Sequence, residues 1–254
     1  MPEPKHLERC LLGIPELDLR IAWLRAEIGA APATSSAPVL DALAGDSEAG
    51  DLAAREALLA FALLAVADPD GPTITALREV ATAERLLHLE RVLRRGSQQP
   101  AVTPSERPPV PDYGAGRELS LGERRSLARK PTRRSFEKLL LDPHPLVIHQ
   151  LLANPRMTEN DLIRIVTKRP ARIAALREVA RAPRWLTRER VRMSLLLNPG
   201  APTELTVPLL CVCTRTQLHE IKEAADVPFV LRATAGELLE RRPPMQEGEP
   251  TALQ

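Results

Sequence analysis

Aromatic side chains are scarce in this 254-residue chain, which has two tryptophans, one tyrosine and three phenylalanines. That is very few for a β-sandwich or an α/β enzyme, whereas alanine, leucine and arginine, all strong helix formers, dominate. Cysteine is equally sparse: Cys10, Cys211 and Cys213 cannot build a disulfide framework. The opening Met-Pro-Glu-Pro-Lys-His-Leu-Glu-Arg has no basic-then-apolar profile of the kind that directs secretion, so a cytoplasmic location is expected. The longest apolar run, Ala57 to Ala67, covers 11 residues, well short of the roughly 20 that span a bilayer. No membrane partner is expected.

The usual signatures of chemistry are missing too. The chain has no phosphate-cradling glycine loop, no Gly-x-Ser-x-Gly elbow and no His-Glu-x-x-His pair. His144 and His149, five residues apart, fall on different faces of a helix and have no neighbouring thiol or carboxylate to complete a metal set. Cys211-Val212-Cys213 lies inside an apolar stretch and reads as two small buried residues. The expectation is therefore a non-enzymatic protein with no catalytic residues, metal or cofactor. Heavy use of Ala, Arg, Pro and Gly, whose codons are GC-rich, hints at a bacterial genome.

What the chain does have is charge, unevenly spread. Residues 1–95 carry 10 Lys/Arg against 15 Asp/Glu, whereas residues 117–195 carry 19 against 8. The net charge of +2 hides this contrast. A basic middle between acidic flanks suits a polyanion, an acidic protein partner, or attraction between the two halves of the chain.

Helical punctuation organises the rest. Pro15 interrupts the apolar periodicity from Leu7 to Ile28, and Ala31 to Ser36 reads as a loop of small residues and proline. Leu52 to Val66 is apolar on nearly every face, as the central helix of a bundle must be, and stops at Asp68-Pro69-Asp70-Gly71-Pro72. The next helix is expected from Thr73 to Arg95, with Gly96 just beyond its end. Five prolines between 96 and 116 indicate an extended or disordered linker. Beyond it, Ser120 with Glu123, Thr158 with Glu159 and Asp161, and Thr214 with Gln217 supply helix N-caps. Residues 1–95 are thus expected to form a helical bundle, 96–116 a proline-rich linker, 117–242 stacked helical hairpins, and 243–254 a disordered tail.

The stacking expectation comes from repetition. Leu-Leu-Ala-Asn-Pro, ending at Pro155, recurs as Leu-Leu-Leu-Asn-Pro, ending at Pro199, 44 residues later. A period of this length falls in the roughly 40–47 residues of HEAT and armadillo units. The phrases Leu-Leu-Ala-Asn-Pro-Arg-Met-Thr (151–158) and Leu-Leu-Leu-Asn-Pro-Gly-Ala-Pro (195–202) resemble the Asn-Pro corners of HEAT-like and leucine-rich-repeat-variant bacterial proteins. The resemblance covers about residues 118–242. It implies an all-α fold with a C-terminal HEAT-like α-solenoid, a right-handed superhelix of antiparallel helix pairs that leaves one face free for a partner.

The basic residues are the candidate site. Arg164, Lys168 and Arg172, a series that Pro170 is expected to divide, then Arg177 and Arg181, then Arg184, Arg188 and Arg192 recur at a spacing that would line single helical faces, with Trp185 as an alternative anchor among them. The bland alternative is that these arginines solvate outer faces and pair with Glu159, Glu178 and Glu189. The function expected is a protein-protein interaction adaptor, with a bacterial signalling or regulatory complex as one setting. Its partner would be another cytoplasmic protein with an acidic surface, and self-association is open. The alternative is nucleic-acid binding through the basic surface of residues 117–195, which Phe136 and Trp185 alone would have to support with stacking.

Overall fold

Leu52–Ala67 is the helix around which the first half assembles, and its composition explains why. Asp51 caps it, accepting from the amides of Ala53 and Ala54 at 2.9 and 3.1 Å. From Ala57 to Val66 nearly every side chain is buried, Phe61 completely, so the helix needs neighbours all round. In the computed structural model, which describes residues 3–96 and 109–242, it has them. Helices α1 (Pro4–Leu12), α2 (Leu17–Ala30) and α3 (Ala33–Glu48) pack around this helix, α4. A 3-10 helix far along the chain, Val207–Val212, closes another side. The buried apolar residues of the two halves consequently form one continuous core.

The all-helical expectation holds, with no strand among the described residues. Residues 97–108 of the expected linker, and all of the expected tail at 243–254, lie outside the described residues. Two local expectations fail. Ala31 to Ser36 is no loop, because α3 begins at Ala33, buries Ser36 and Ala37, and carries Pro38 within it. The helix expected from Thr73 to Arg95 is instead two, α5 (Pro72–Glu84) and α6 (Leu87–Val92), with Arg85 left-handed between them at φ 57°. The break is held from outside: Asp41 on α3 accepts the amides of His88 and Leu89, each at 2.9 Å, and so caps α6.

The second half runs α7 (Leu121–Arg129), α8 (Arg133–Leu139), α9 (Pro145–Leu152), α10 (Glu159–Val166), α11 (Ile173–Ala180), α12 (Pro183–Leu186), α13 (Glu189–Leu196) and α14 (Thr203–Thr206), then the 3-10 helix, α15 (Arg215–Glu223) and α16 (Phe229–Arg241). Capping boxes form at Ser120 with Glu123, Thr158 with Asp161 and Thr214 with Gln217. α7 packs on α9, α10 on α13, and α15 on α16.

The Asn-Pro phrases have a physical meaning here. Asn154 is buried and donates its amide to the carbonyls of Ala128 and Arg129, each at 3.1 Å, at the end of α7. Asn198 does the same for Val166 at the end of α10, at 2.5 Å. In both, the side-chain oxygen accepts the amide two residues on, from Arg156 and Gly200, at 2.9 Å. Another 44 residues along stands Arg242, also buried, which donates to the carbonyls of Cys211 and Cys213 at the end of the 3-10 helix. Three buried side chains at equal spacing thus satisfy the orphan carbonyls of three earlier helix ends.

Gly200 shows how tight the second corner is, since a methyl group added there would lie 2.5 Å from the Ala171 side chain. Gly200→Ala is expected to cost about 1–3 kcal/mol through overpacking. The equivalent Arg156→Ala, which loses one bond to the Pro131 carbonyl, should cost about 1 kcal/mol. A Gly200→Ala urea midpoint equal to that of the unsubstituted chain would show that this corner is not packed as described.

Candidate interaction groove

A groove of about 370 Å³ is lined by Leu140, Leu141, Arg164, Thr167, Lys168 and Arg169. One wall is the turn that ends α8. Leu141 and Asp142 close it by donating their amides to Lys138 and Leu139, at 3.0 and 3.1 Å. This turn leaves the Leu141 side chain 49 % exposed.

The turn is pinned from beneath. Asp142 is fully buried, and both of its carboxylate oxygens accept from Arg124 Nη1, at 2.9 and 2.8 Å. The Tyr113 hydroxyl donates to it at 2.6 Å and the His144 amide at 2.9 Å. Burial, reinforced by the bond to Asp142, pushes the Tyr113 phenol far above its ordinary pKa, so it stays a donor. Arg172 completes the support by donating to the backbone carbonyls of Leu140 and Asp142, at 2.9 and 3.0 Å.

The opposite wall is the end of α10. Thr167 turns its hydroxyl back to the Ile163 carbonyl at 2.8 Å, and the helix stops. Lys168 and Arg169 follow, both exposed, with no hydrogen bond or ion pair among the described residues. Arg164 is different, because it meets Glu137 at 2.7 Å and Asp161 at 3.9 Å. The hydrogen bond from Arg164 holds the Glu137 carboxyl below the usual glutamate range. Two unneutralised cations therefore stand beside an exposed leucine.

The other candidates are placed elsewhere. Arg177 pairs with Asp70 and Glu204, at 3.4 and 3.2 Å, and so ties α11 to the turn before α5. Arg181 pairs with Glu178 at 2.8 Å and reaches the Ala67 carbonyl. Arg184 caps the Leu152 carbonyl while its guanidinium lies 5.0 Å from the Trp185 ring centroid. Trp185 is 8 % exposed and donates its indole N–H to the same carbonyl at 3.2 Å, so it packs inside. Arg192 donates to the Leu186 carbonyl at 3.1 Å. Arg188 is exposed at the start of α13.

The three series do not each share a helical face, because Lys168 and Arg172 lie outside α10, and Arg184, Arg188 and Arg192 fall on α12, a cap and α13. The structure brings Arg164 and Lys168 together and adds Arg169 and Leu141. Helical spacing did not select those two, since neither belongs to a basic i, i+4 series; the pair Lys168-Arg169 before Pro170 was the available signal.

Two other clusters are already explained by their own contacts. Glu8, Asp46 and Asp51 converge closely enough to suggest a metal site, but the Lys5 ammonium stands among them at 3.0, 3.3 and 2.8 Å. Cys211 and Cys213 lie in the core and donate to the Pro208 and Leu209 carbonyls at 2.9 and 3.3 Å. Burial raises their thiols to about 12 and about 11, which keeps them protonated and poorly nucleophilic.

Comparison with protein-family models, with curated proteins and with solved structures gives no significant match. Among the described residues, no helix is long and apolar enough to cross a membrane.

Proposed function

We propose that this chain is a non-catalytic adaptor whose groove at residues 140–141 and 164–169 docks an acidic segment of a partner protein. In this reading residues 117–242 form a HEAT-like solenoid. The buried pins at 154, 198 and 242 act as its repeating joints. The observation that carries the docking role is the pair of exposed, unneutralised cations Lys168 and Arg169 beside exposed Leu141. Charge at a rim steers and selects partners, and an apolar contact adds affinity.

A protein partner is favoured over a nucleic acid because so many of the other arginines are committed to carbonyls and carboxylates within the fold. Arg172, Arg177, Arg184 and Arg192 hold helix ends and turns together, which takes those four cations away from contact with a phosphate backbone.

The test uses the full chain, a fluorescent peptide of alternating glutamate and leucine, and an oligonucleotide of equal charge. Peptide anisotropy should rise on binding at low salt. Lys168→Glu with Arg169→Glu should weaken it by roughly tenfold or more, the equivalent of about 1.4 kcal/mol. Tighter binding of the oligonucleotide, or peptide binding indifferent to the double substitution, would overturn the proposal.

A further inference from the structure

We infer that one occupant of this groove is a second copy of the chain, seated head to tail through the acidic face where α2 meets α4. The inference rests on the reading of the groove as a dock for acidic surface, and it names the partner. The patch takes in the first turns of both helices: Glu16 and Asp18 are exposed around the start of α2, on different sides of it, and Leu52 and Glu56 are exposed on α4. Arg20 joins the two helices by pairing with Glu56 at 2.9 Å. Its side chain is only 12 % exposed and also caps the Ile14 carbonyl, so its charge is largely spent within the face. Glu16 and Asp18 are exposed and have no ionic partner among the described residues. Leu19, next to Arg20, and Leu52, one turn from Glu56, are 56 % and 66 % exposed.

This face complements the groove in both charge and apolarity. Two unneutralised carboxylates with two bare leucines stand on one half of the molecule, and Lys168 and Arg169 with Leu141 stand on the other. The same contrast runs through the whole chain, with 10 basic against 15 acidic residues in 1–95 and 19 against 8 in 117–195. Opposed fields of this kind steer copies toward each other. Because the two surfaces are different patches, the contact is heterologous, and association continues past a dimer unless it closes into a ring.

Sedimentation velocity on the full chain tests this directly. At low salt the average mass should rise as concentration goes from micromolar to millimolar, and high salt should reverse it. Lys168→Glu with Arg169→Glu should be monomeric, as should Glu16→Lys with Asp18→Lys. The four side chains are exposed and make no side-chain hydrogen bond or ion pair among the described residues, so only the loss of favourable charge at the ends of α2 and α10, about 1 kcal/mol or less per site, should lower the urea midpoints, and this checks the fold. Each variant repels its own copies, but the two carry opposite charge at both patches, so mixing them should restore the association that neither shows alone. A wild-type chain that stays monomeric throughout, self-association that survives either reversal, or a mixture that does not pair would overturn the inference. A monomeric chain that still binds the glutamate-leucine peptide through Lys168 and Arg169 would sink self-docking alone. A monomeric chain that ignores the peptide would sink the adaptor reading as well.

Discussion

Asp142→Ala is expected to cost about 3–5 kcal/mol of folding stability, the range for breaking a buried ion pair on one side. The substitution would leave the Arg124 guanidinium, itself 7 % exposed, facing a void where a carboxylate had accepted two bonds. It would also strip the Tyr113 hydroxyl and the His144 amide of their acceptor. Such losses exceed the worth of the bonds themselves, because a buried donor without a partner retains its full desolvation penalty. A urea titration measures the cost, and Tyr113→Phe supplies the scale: with the ion pair intact it should lose about 1 kcal/mol. The same variants bear on the groove, since Asp142 anchors the turn that presents Leu141. Asp142→Ala should therefore weaken the glutamate-leucine peptide even under conditions where the chain remains folded. A stability loss near that of Tyr113→Phe would show that Asp142 is not the hub of the turn.

Arg91→Met should be of similar size, about 3–5 kcal/mol, and its effect should reach across the molecule. Arg91 is 4 % exposed and bridges Glu48 on α3 to Glu237 on α16, the latter at 3.0 Å. Without it Glu48, 5 % exposed, keeps only His88 at 2.7 Å. Arg94 grips the same Glu237 from a more open position, at 2.7 and 3.0 Å, and Arg94→Met should cost only about 1 kcal/mol. Urea midpoints separate the two, and faster amide exchange in α16 of Arg91→Met would locate the loss at the junction. Equal midpoints would contradict the assignment of Arg91 as its buried link.

The junction also carries a pH signature. Hydrogen bonds from Arg94, and then Arg91, hold the Glu237 carboxyl below its ordinary value of 4.5. A depressed carboxylate stabilises the fold fully above its unfolded pKa and loses that contribution as the pH falls through the folded one. The stability gap between the native chain and Glu237→Gln should thus be widest above pH 4.5 and shrink below it. A gap that stays constant down to pH 3 would show that Glu237 is not held by these arginines.

These two networks are also where reading the residues in order stopped short. Ser120 with Glu123, Thr158 with Asp161 and Thr214 with Gln217 were legible as caps because all the interacting groups lie within four residues. Leu52–Ala67 was legible as a central helix because a segment apolar on every face has to be enclosed. The break between α5 and α6 was not legible, since the carboxylate that caps α6 belongs to Asp41, more than forty residues earlier. Nor was Arg242 as the third corner pin, because it replaces asparagine with a chemically different donor that serves the same kind of carbonyl. For the groove, Arg164 and Lys168 could be named from their i, i+4 spacing, but Arg169 and Leu141 belong to no such basic series and are brought there by the turns after α10 and α8.

By itself, then, the order of residues determined that the chain is helical, where many of its helices begin, and that the Asn-Pro corner recurs after 44 residues. Each of these follows from propensity, capping or periodicity, which act over a few neighbouring side chains. Only the tertiary structure decided which cations are spent and which are free. An arginine is quenched when a helix end or carboxylate arrives within reach, and for Arg172, Arg177 and Arg184 that group comes from a residue about thirty positions or more away. Long-range packing brings those acceptors to them and, among the described residues, brings none to Lys168, Arg169 or Arg188, of which Lys168 and Arg169 line the groove.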